Sequence, residues 1–502
     1  MTDRQEDNPG EAAARGGADA AQWRARIGLL LGPLIFLVFL VVPAPAGFEP
    51  DAWQVLGLTL FMATWWISEA LPLPVTALLP IAVLPLLGVV EMGAATEPYA
   101  NPIIFLFMGG FAIALAVQRW DLHRRMALMI LRRSGHGLHG LVGAFMVATA
   151  GLSMWVSNTA TAALMLPIAL SVLALLERGD ARAGAGLDAD SRRPALALLL
   201  GIAFAANIGG MATIIGSPPN ALAVAYLGER HGIEITFVEW MALGLPLAIV
   251  LLALAWWILT RWVFSVHRVQ LDGLGRLLDE QRAAIGAWSV AEQRVAAVFL
   301  LVALCWLTRP LLDAWLPIEL TDAGIAILGA GLLFLVPSGS REQRRLLAWD
   351  NTRELPWGVL LLVGGGLSLG ASIESSGLAA LAADALAAAQ AWPLILVIGG
   401  AVLVTMTLSH VTSNTATAAT LLPLVAALAM RMEVPVLLLA LPVAFAASVA
   451  FMLPVATPPN AIVFASNRLR VPDMLRGGAP LSVVAVVLVT LAVYGFAEFL
   501  FL

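Results

Sequence analysis

Charge is scarce in this chain. Only 12% of its 502 residues are Asp, Glu, Lys or Arg, where a soluble protein carries about 25%. Lysine is missing altogether, so every fixed cation is an arginine. The single cysteine, Cys305, excludes an intrachain disulfide, a CxxC redox pair and a cysteine-based metal site, and its expected role is packing within a helix. The formal net charge of −5 is mild and argues against nucleic acid as a partner.

Apolar sequence takes the place of charge. The chain is 60% hydrophobic, with a mean hydropathy of +0.89. Apolar runs long enough to cross a hydrocarbon core of roughly 30 Å recur along its length. The expected fold is an all-α polytopic membrane protein. Its spans are placed at 27–43, 54–70, 73–90, 101–118, 195–226, 240–262, 293–308, 322–337, 357–373, 437–465 and 479–501. Residues 1–26 are polar, Gly/Ala-rich and of mixed charge, which reads as a disordered cytoplasmic tail. Ala44-Pro45-Ala46 resembles a signal-peptidase site, but the preceding segment is long and acidic, so an uncleaved first span is expected.

One phrase occurs twice. Ser157-Asn158-Thr159-Ala160-Thr161-Ala162-Ala163 recurs unchanged as Ser413 to Ala419, an offset of 413 − 157 = 256 residues. Gly109-Gly110 falls on Gly365-Gly366 and Pro167 on Pro423 at the same offset. A second pair, Ser217-Pro218-Pro219-Asn220-Ala221 and Thr457-Pro458-Pro459-Asn460-Ala461, matches at 457 − 217 = 240. The polar insertion near 180–194 accounts for the difference. A structural unit has therefore been duplicated, and polar turns repeated inside apolar segments point to a transporter's binding site.

The segments flanking each Ser-Asn-Thr (139–155 with 159–176, and 393–408 with 416–430) hold about 16 residues each, short of the ~20 a crossing prefers. Two re-entrant hairpins are expected, because a polar turn at membrane depth is tolerated only inside protein or beside water. Arginines cluster in the loops on one side if the N-terminus is cytoplasmic: Arg124, Arg125, Arg132 and Arg133 in one, Arg341, Arg344 and Arg345 in another. With eleven spans the two repeat units run in opposite directions, an inverted repeat. The Arg-rich segment 119–135, interleaved with Leu122, Met126, Ile130 and Leu131, is expected as an amphipathic helix on the inner membrane surface.

The chemistry offered is neutral. Each Ser-Asn-Thr turn supplies hydroxyls, a carboxamide and freed backbone groups. Half-helix N-termini suit an anion, while unwound carbonyls and hydroxyl oxygens suit a small hard cation such as Na⁺. Consecutive prolines free further carbonyls at the second motif pair. Neither motif pair contains Asp, Glu, Arg or Lys. Glu69 reads as a loop-facing carboxylate and His410, just before the second turn, as a hydrogen-bonded structural histidine or a proton site.

These residues resemble the divalent anion:sodium symporter family, which carries dicarboxylates, citrate or sulfate. The paired turns, the paired Ser/Thr-Pro segments, Trp65-Trp66 with Glu69-Ala70-Leu71-Pro72, and Asn101-Pro102-Ile103 with Gly109-Gly110 carry the resemblance. It implies a homodimer in which scaffold helices (27–100 and 293–356) support a transport domain that moves as an elevator. The hairpins and broken helices lie in two inverted repeats (101–262 and 357–502) joined by a cytoplasmic linker, 263–292. It also implies one Na⁺ site at Ser153, Ser157, Asn158 and Gly216 and a second at Ser409, Ser413, Asn414 and Ala456. Substrate carboxylates would meet Asn158, Thr159, Ser217, Pro218, Asn414, Thr415, Thr457 and Pro458. Family members often carry an acidic residue where this chain has His410.

The expected protein is a secondary transporter of the plasma (inner) membrane, with Na⁺ co-transported rather than held as a prosthetic group. Its cargo would be a small dianion such as succinate, and lipid its surroundings. The rivals are a proton-coupled carrier or anion exchanger of the same fold, sulfate or citrate as cargo, and, from another class, an intramembrane Ser/His hydrolase. The hydrolase lacks a visible acidic orienter and has no use for a duplicated serine.

Overall fold

The computed structural model describes residues 9–133, 137–182, 189–266, 273–315, 317, 319–341, 343–385 and 390–497; for residues 9–21, 177–182, 189–191, 314 and 497 it describes the backbone alone. Among the described residues regular structure is helical and no extended strand is present. Eight helices are long and apolar enough to cross a membrane, and five shorter apolar helices accompany them. The chain is an integral membrane protein.

α1 (Pro9–Val41) packs along α2 (Pro50–Ser68). The tail expected to be disordered is therefore helical from Pro9 on, because its Ala-rich sequence (Glu11-Ala12-Ala13-Ala14-Arg15) favours helix and propagates from the first span. Residues 1–8 of that tail lie outside the described residues. The single span expected over 73–90 is two pieces, α3 (Leu73–Thr76) and α4 (Leu79–Leu87). Pro74 and Pro80 each sit in a first helical turn, where a missing N–H costs nothing and a helix restarts.

α5 (Met92–Thr96) and a 3-10 turn (Glu97–Ala100) lead into α6 (Pro102–Arg119), whose first turn is capped by Asn101 accepting from Ile103 N at 2.9 Å. α7 (Leu122–Leu131) follows with Leu122, Leu128 and Leu131 buried, Met126 and Ile130 half-buried and Arg132 and Arg133 exposed just beyond it, while Arg125 of the expected polar face is buried too.

The first hairpin is α8 (Leu138–Ser153) and α9 (Asn158–Arg182). A broken helix comes next: α10 (Ala189–Gly210), a 3-10 turn (Ile214–Gly216) and α11 (Pro218–His231). α12 (Phe237–Trp257) begins with a capping box between Thr236 and Glu239. The linker carries α13 (Leu274–Ile285), while its residues 267–272 lie outside the described residues. The second half runs α14 (Val290–Trp315), α15 (Asp322–Leu335), α16 (Trp357–Ser375) and α17 (Leu378–Ala385). Its hairpin is α18 (Leu394–Ser409) and α19 (Asn414–Arg431). Its broken helix is α20 (Leu437–Ala447), a 3-10 turn (Pro454–Ala456) and α21 (Pro458–Phe464), with α22 (Val471–Ala492) last.

Helix lengths qualify the hairpins. α8 and α18 hold 16 residues each, which is ~24 Å and too short for the hydrocarbon core. α9 is longer than expected, and its apolar stretch Asn158–Leu176 has crossing length. The length argument thus holds for the first arm of each hairpin, not for the second arm of the first.

The duplicated glycine pairs mark close helix approach. A methyl at Gly109 would come within 2.5 Å of the Ala326 carbonyl carbon, where α6 packs on α15. One at Gly365 would come within 2.7 Å of Ala77 Cβ, where α16 meets the break between α3 and α4. The centre belongs to the first halves of the broken helices. Every residue of α20 is buried, as is α10 from Leu196 onward. The first interruption is therefore held deep in the protein, while the second is buried at 448–451 and at Ala456 and Thr457 but reaches the surface at Val455, which is 71% exposed.

Candidate functional site

The two interruptions are built alike. Pro218-Pro219 and Pro458-Pro459 open α11 and α21 rather than interrupt them, so the unwound backbone lies upstream, at 211–217 and 448–457. The fourth motif residue holds each break together. Asn220 donates its amide to Gly210 O (2.9 Å) and Thr213 O (2.8 Å). Asn460 donates to Ala450 O (3.2 Å) and Leu453 O (2.9 Å), the same positions shifted by 240. Carbonyls that lost their helical partners are thereby satisfied. The side-chain oxygens of both asparagines are buried and find no donor among the described residues.

The first hairpin tip meets the first break. Ser153, fully buried at the end of α8, donates its hydroxyl towards Ala206 O (2.7 Å) and Asn158 Oδ1 (2.5 Å), although it has one hydrogen to give. With its oxygen inward, Asn158 faces only acceptors; turned over, its nitrogen donates to Gly216 O (3.2 Å) and Ala206 O (3.1 Å). Three oxygens, from Ser153, Ala206 and Gly216, thus converge within 3.2 Å of one end of the Asn158 amide. A hard monovalent cation suits such a set. The wall is main chain: a methyl at Gly210 would lie 2.6 Å from Asn158 Oδ1, and one at Gly216 2.6 Å from Gly210 O. Ser157 does not join by its hydroxyl, which is exposed and accepts from Ala160 N at 3.3 Å as a helix cap.

The second tip carries the matching residues, with their hydrogen-bonding needs left open. Ser409 Oγ, fully buried, and Asn414 Oδ1 have no hydrogen-bond partner among the described residues. Leaving such groups unsatisfied costs about 1–3 kcal/mol each, a cost that a coordinated cation removes. Ser413 precedes α19 without a side-chain cap, and Ala456 is buried in the 3-10 turn. His410 lies between these groups and the break. Its Nδ1 donates to Met406 O (2.7 Å) and its Nε2 accepts from Met452 N (3.1 Å), so both ring nitrogens are used by a neutral imidazole. Among the described residues no cluster of three His, Cys, Asp or Glu occurs, so a transition-metal site has no ligand set here.

The two halves are stitched across the middle. Asn207 on α10 donates to Thr457 Oγ1 at 2.9 Å, and Ser217 Oγ lies 3.2 Å from Ser448 Oγ. α9 packs on α21 and α11 on α19, so each hairpin leans on the other repeat's broken helix. Ser217 and Thr457 are brought to this seam and buried. Thr415 is buried on α19, whereas Thr159 and Pro458 are exposed and Pro218 half-buried. Asn207 and Ser448 were not singled out by sequence reasoning, and the two bracing asparagines were quoted only as letters of the repeated motif. The usable signal for Asn207 is its isolation in the apolar run from Ala195 to Ile208, since a lone carboxamide there needs a partner.

Relatives share this chain's length. A sodium-dependent dicarboxylate transporter, SdcS, of Staphylococcus saprophyticus is 39% identical over 473 residues, covering 93% of this chain and 90% of its own length. The SdcS of Staphylococcus aureus strain USA300 is 39% identical over 471 residues, with the same coverage. Among solved structures, the Alcanivorax borkumensis YdaH transporter is similar at a TM-score of 0.54 and 14% identity, over 88% of this chain and 98% of that one. Neisseria gonorrhoeae MtrF is similar at 0.58 and 11%, over 95% and 96%. At those identities the likeness concerns the fold. The family described as the sodium:sulfate symporter transmembrane region matches residues 24–502, and the chain belongs to that family of membrane transporters.

Proposed function

We propose that this protein is a Na⁺-coupled importer of a small dicarboxylate, a C4 compound such as succinate. One observation carries the reading: buried, uncharged oxygens stand at both hairpin tips, a cluster of Ser153, Asn158 and Gly216 at the first and the unpartnered Ser409 Oγ and Asn414 Oδ1 at the second. The naming of the Staphylococcus relatives as sodium-dependent dicarboxylate transporters supports the choice of ion and cargo. Cations held there would offset the cost of bringing a dianion into a site without arginine. The carboxylates would be met by Asn158, Thr159 and Asn414, Thr415 at the tips and by Ser217, Pro218 and Thr457, Pro458 at the broken helices. Coupling follows if the dianion binds well only after the cations.

Transport would proceed as an elevator in a homodimer of the inner membrane, with the N-terminus cytoplasmic. The paired tips and breaks would travel together as one body, consistent with their mutual packing. The test is succinate uptake by proteoliposomes. An inward Na⁺ gradient is expected to drive accumulation, and equal uptake in choline medium overturns symport. Uptake that requires internal dicarboxylate and ignores Na⁺ would make the protein an exchanger.

A further inference from the structure

The strongest unassigned feature lies outside the transport site, between α7 and the linker helix α13. A cavity of about 340 Å³ is lined by Arg125, Leu128, Met129, Arg132, Arg133, Arg282 and Ile285. Four of its seven lining residues are arginines, in a chain where charge of any kind is rare.

Two of the four are already neutralised. Arg125 is buried and gripped by Glu292 through Nε (2.8 Å) and Nη2 (3.1 Å), by Gly286 O and Ala287 O, and by the Trp288 ring 4.9 Å from its guanidinium carbon. It is a fixed post, not a mobile surface charge. Arg132 pairs with Asp279 at 3.3 Å. Arg133 and Arg282 are exposed, and among the described residues neither has an ion-pair partner. Glu280 is not part of the lining. The cavity therefore carries a surplus of about two positive charges against a pre-set wall, a match for the one or two negative charges of a phosphate group.

The remaining lining chooses the carrier of that phosphate. Leu128 forms a buried floor, Ile285 is half-buried, and Met129 is 41% exposed. Cations beside an apolar floor on an amphipathic helix suit a headgroup whose acyl chains lie in the adjoining bilayer. A free anion gains nothing from that floor. α7 and α13 are also tied by Arg124 Nη2 donating to Gln281 Oε1 at 2.8 Å, so a ligand bridging them would fasten the linker to α7.

We infer that this cavity binds the phosphate of an anionic phospholipid, using Arg133 and Arg282 as its free cations and Arg125 and Arg132 as its fixed wall. The test uses the full chain in nanodiscs of phosphatidylcholine alone or with phosphatidylglycerol. Phosphatidylglycerol is expected to raise the melting temperature by several degrees and to remain bound in native mass spectra. The double variant Arg133→Gln/Arg282→Gln is expected to lose most of that shift and the bound lipid. The charge-matched control Arg341→Gln/Arg344→Gln, in another exposed loop, is expected to keep both. Equal loss in the two variants, or no loss in the first, overturns the site. A detergent-solubilised protein that inorganic phosphate stabilises fully, with no further gain from phosphatidylglycerol, overturns the lipid assignment in favour of free phosphate.

Discussion

Asn207 and Thr457 are 250 residues apart in the chain and joined by a 2.9 Å hydrogen bond in the buried seam between the repeats. Asn207 is buried within an apolar run of α10, and Thr457 also accepts from Asn460 N at 3.3 Å. The donor from one half thus fixes the hydroxyl that opens the broken helix of the other. Asn207→Ala is expected to cost about 1–3 kcal/mol of stability and to lower succinate uptake at least tenfold in folded protein. A double-mutant cycle with Thr457→Val should show coupling, and strict additivity in the thermal midpoint would remove the link.

Gly216 tests the main-chain wall of the first cluster. A methyl there would stand 2.6 Å from Gly210 O, a backbone atom with nowhere to retreat. Gly216→Ala is expected to abolish the stabilisation that Na⁺ confers and to abolish uptake. The matching change in the second half, Ala456→Gly, removes a buried methyl and should leave Na⁺ stabilisation present. Isothermal titration with Na⁺ on both variants checks the contrast.

Ser409 gives an effect of opposite sign with and without the ion. Its hydroxyl is buried and unpartnered, so Ser409→Ala removes an unsatisfied group. The variant is expected to be as stable as the parent, or slightly more so, in choline medium. In Na⁺ it should be the less stable of the two, with the ion concentration for half-maximal uptake raised roughly tenfold, equivalent to ~1.4 kcal/mol. Destabilisation by the same amount in both media would make Ser409 a packing residue.

His123 supplies a pH dependence outside the spans. On α7 its Nδ1 faces Val117 O at 3.2 Å, and burial holds its pKa below the usual histidine value, against the raising effect of Asp121. The unfolded chain then binds the proton more readily than the folded one, so its contribution is full above the ordinary value of about 6.5 and is lost as pH falls below it. The thermal midpoint is expected to fall between pH 7.5 and 5.5, and His123→Gln should flatten that slope. An unchanged slope would place the titration elsewhere.

The sequence made the architecture legible because membrane helices announce themselves by apolar length and duplication by identical letters. Ser153, Asn158 and Gly216 were named together by the family resemblance, and the folded chain brings them together. Ser157 was less legible, because a serine before a helix serves as ligand or as cap with the same letters, and here its hydroxyl caps. Pro218 and Pro458 were placed inside the interruptions, yet they start the next helices, since proline's fixed φ suits a first turn. The Asn207–Thr457 and Ser217–Ser448 contacts join positions with no shared motif or offset, and only the packing of one repeat on the other creates them.

The glycines at 210 and 216 have alanines, Ala450 and Ala456, at the corresponding places in the other half. A glycine wall offers natural variation nothing to adjust, because any substitution at 210 or 216 adds carbon where none fits. Its twin is lined with methyls and flanked by an imidazole, both of which can be exchanged. Descendants of this duplication could therefore alter their preference among small cations at one end while the other stays frozen, and duplicated origin need not mean interchangeable duty.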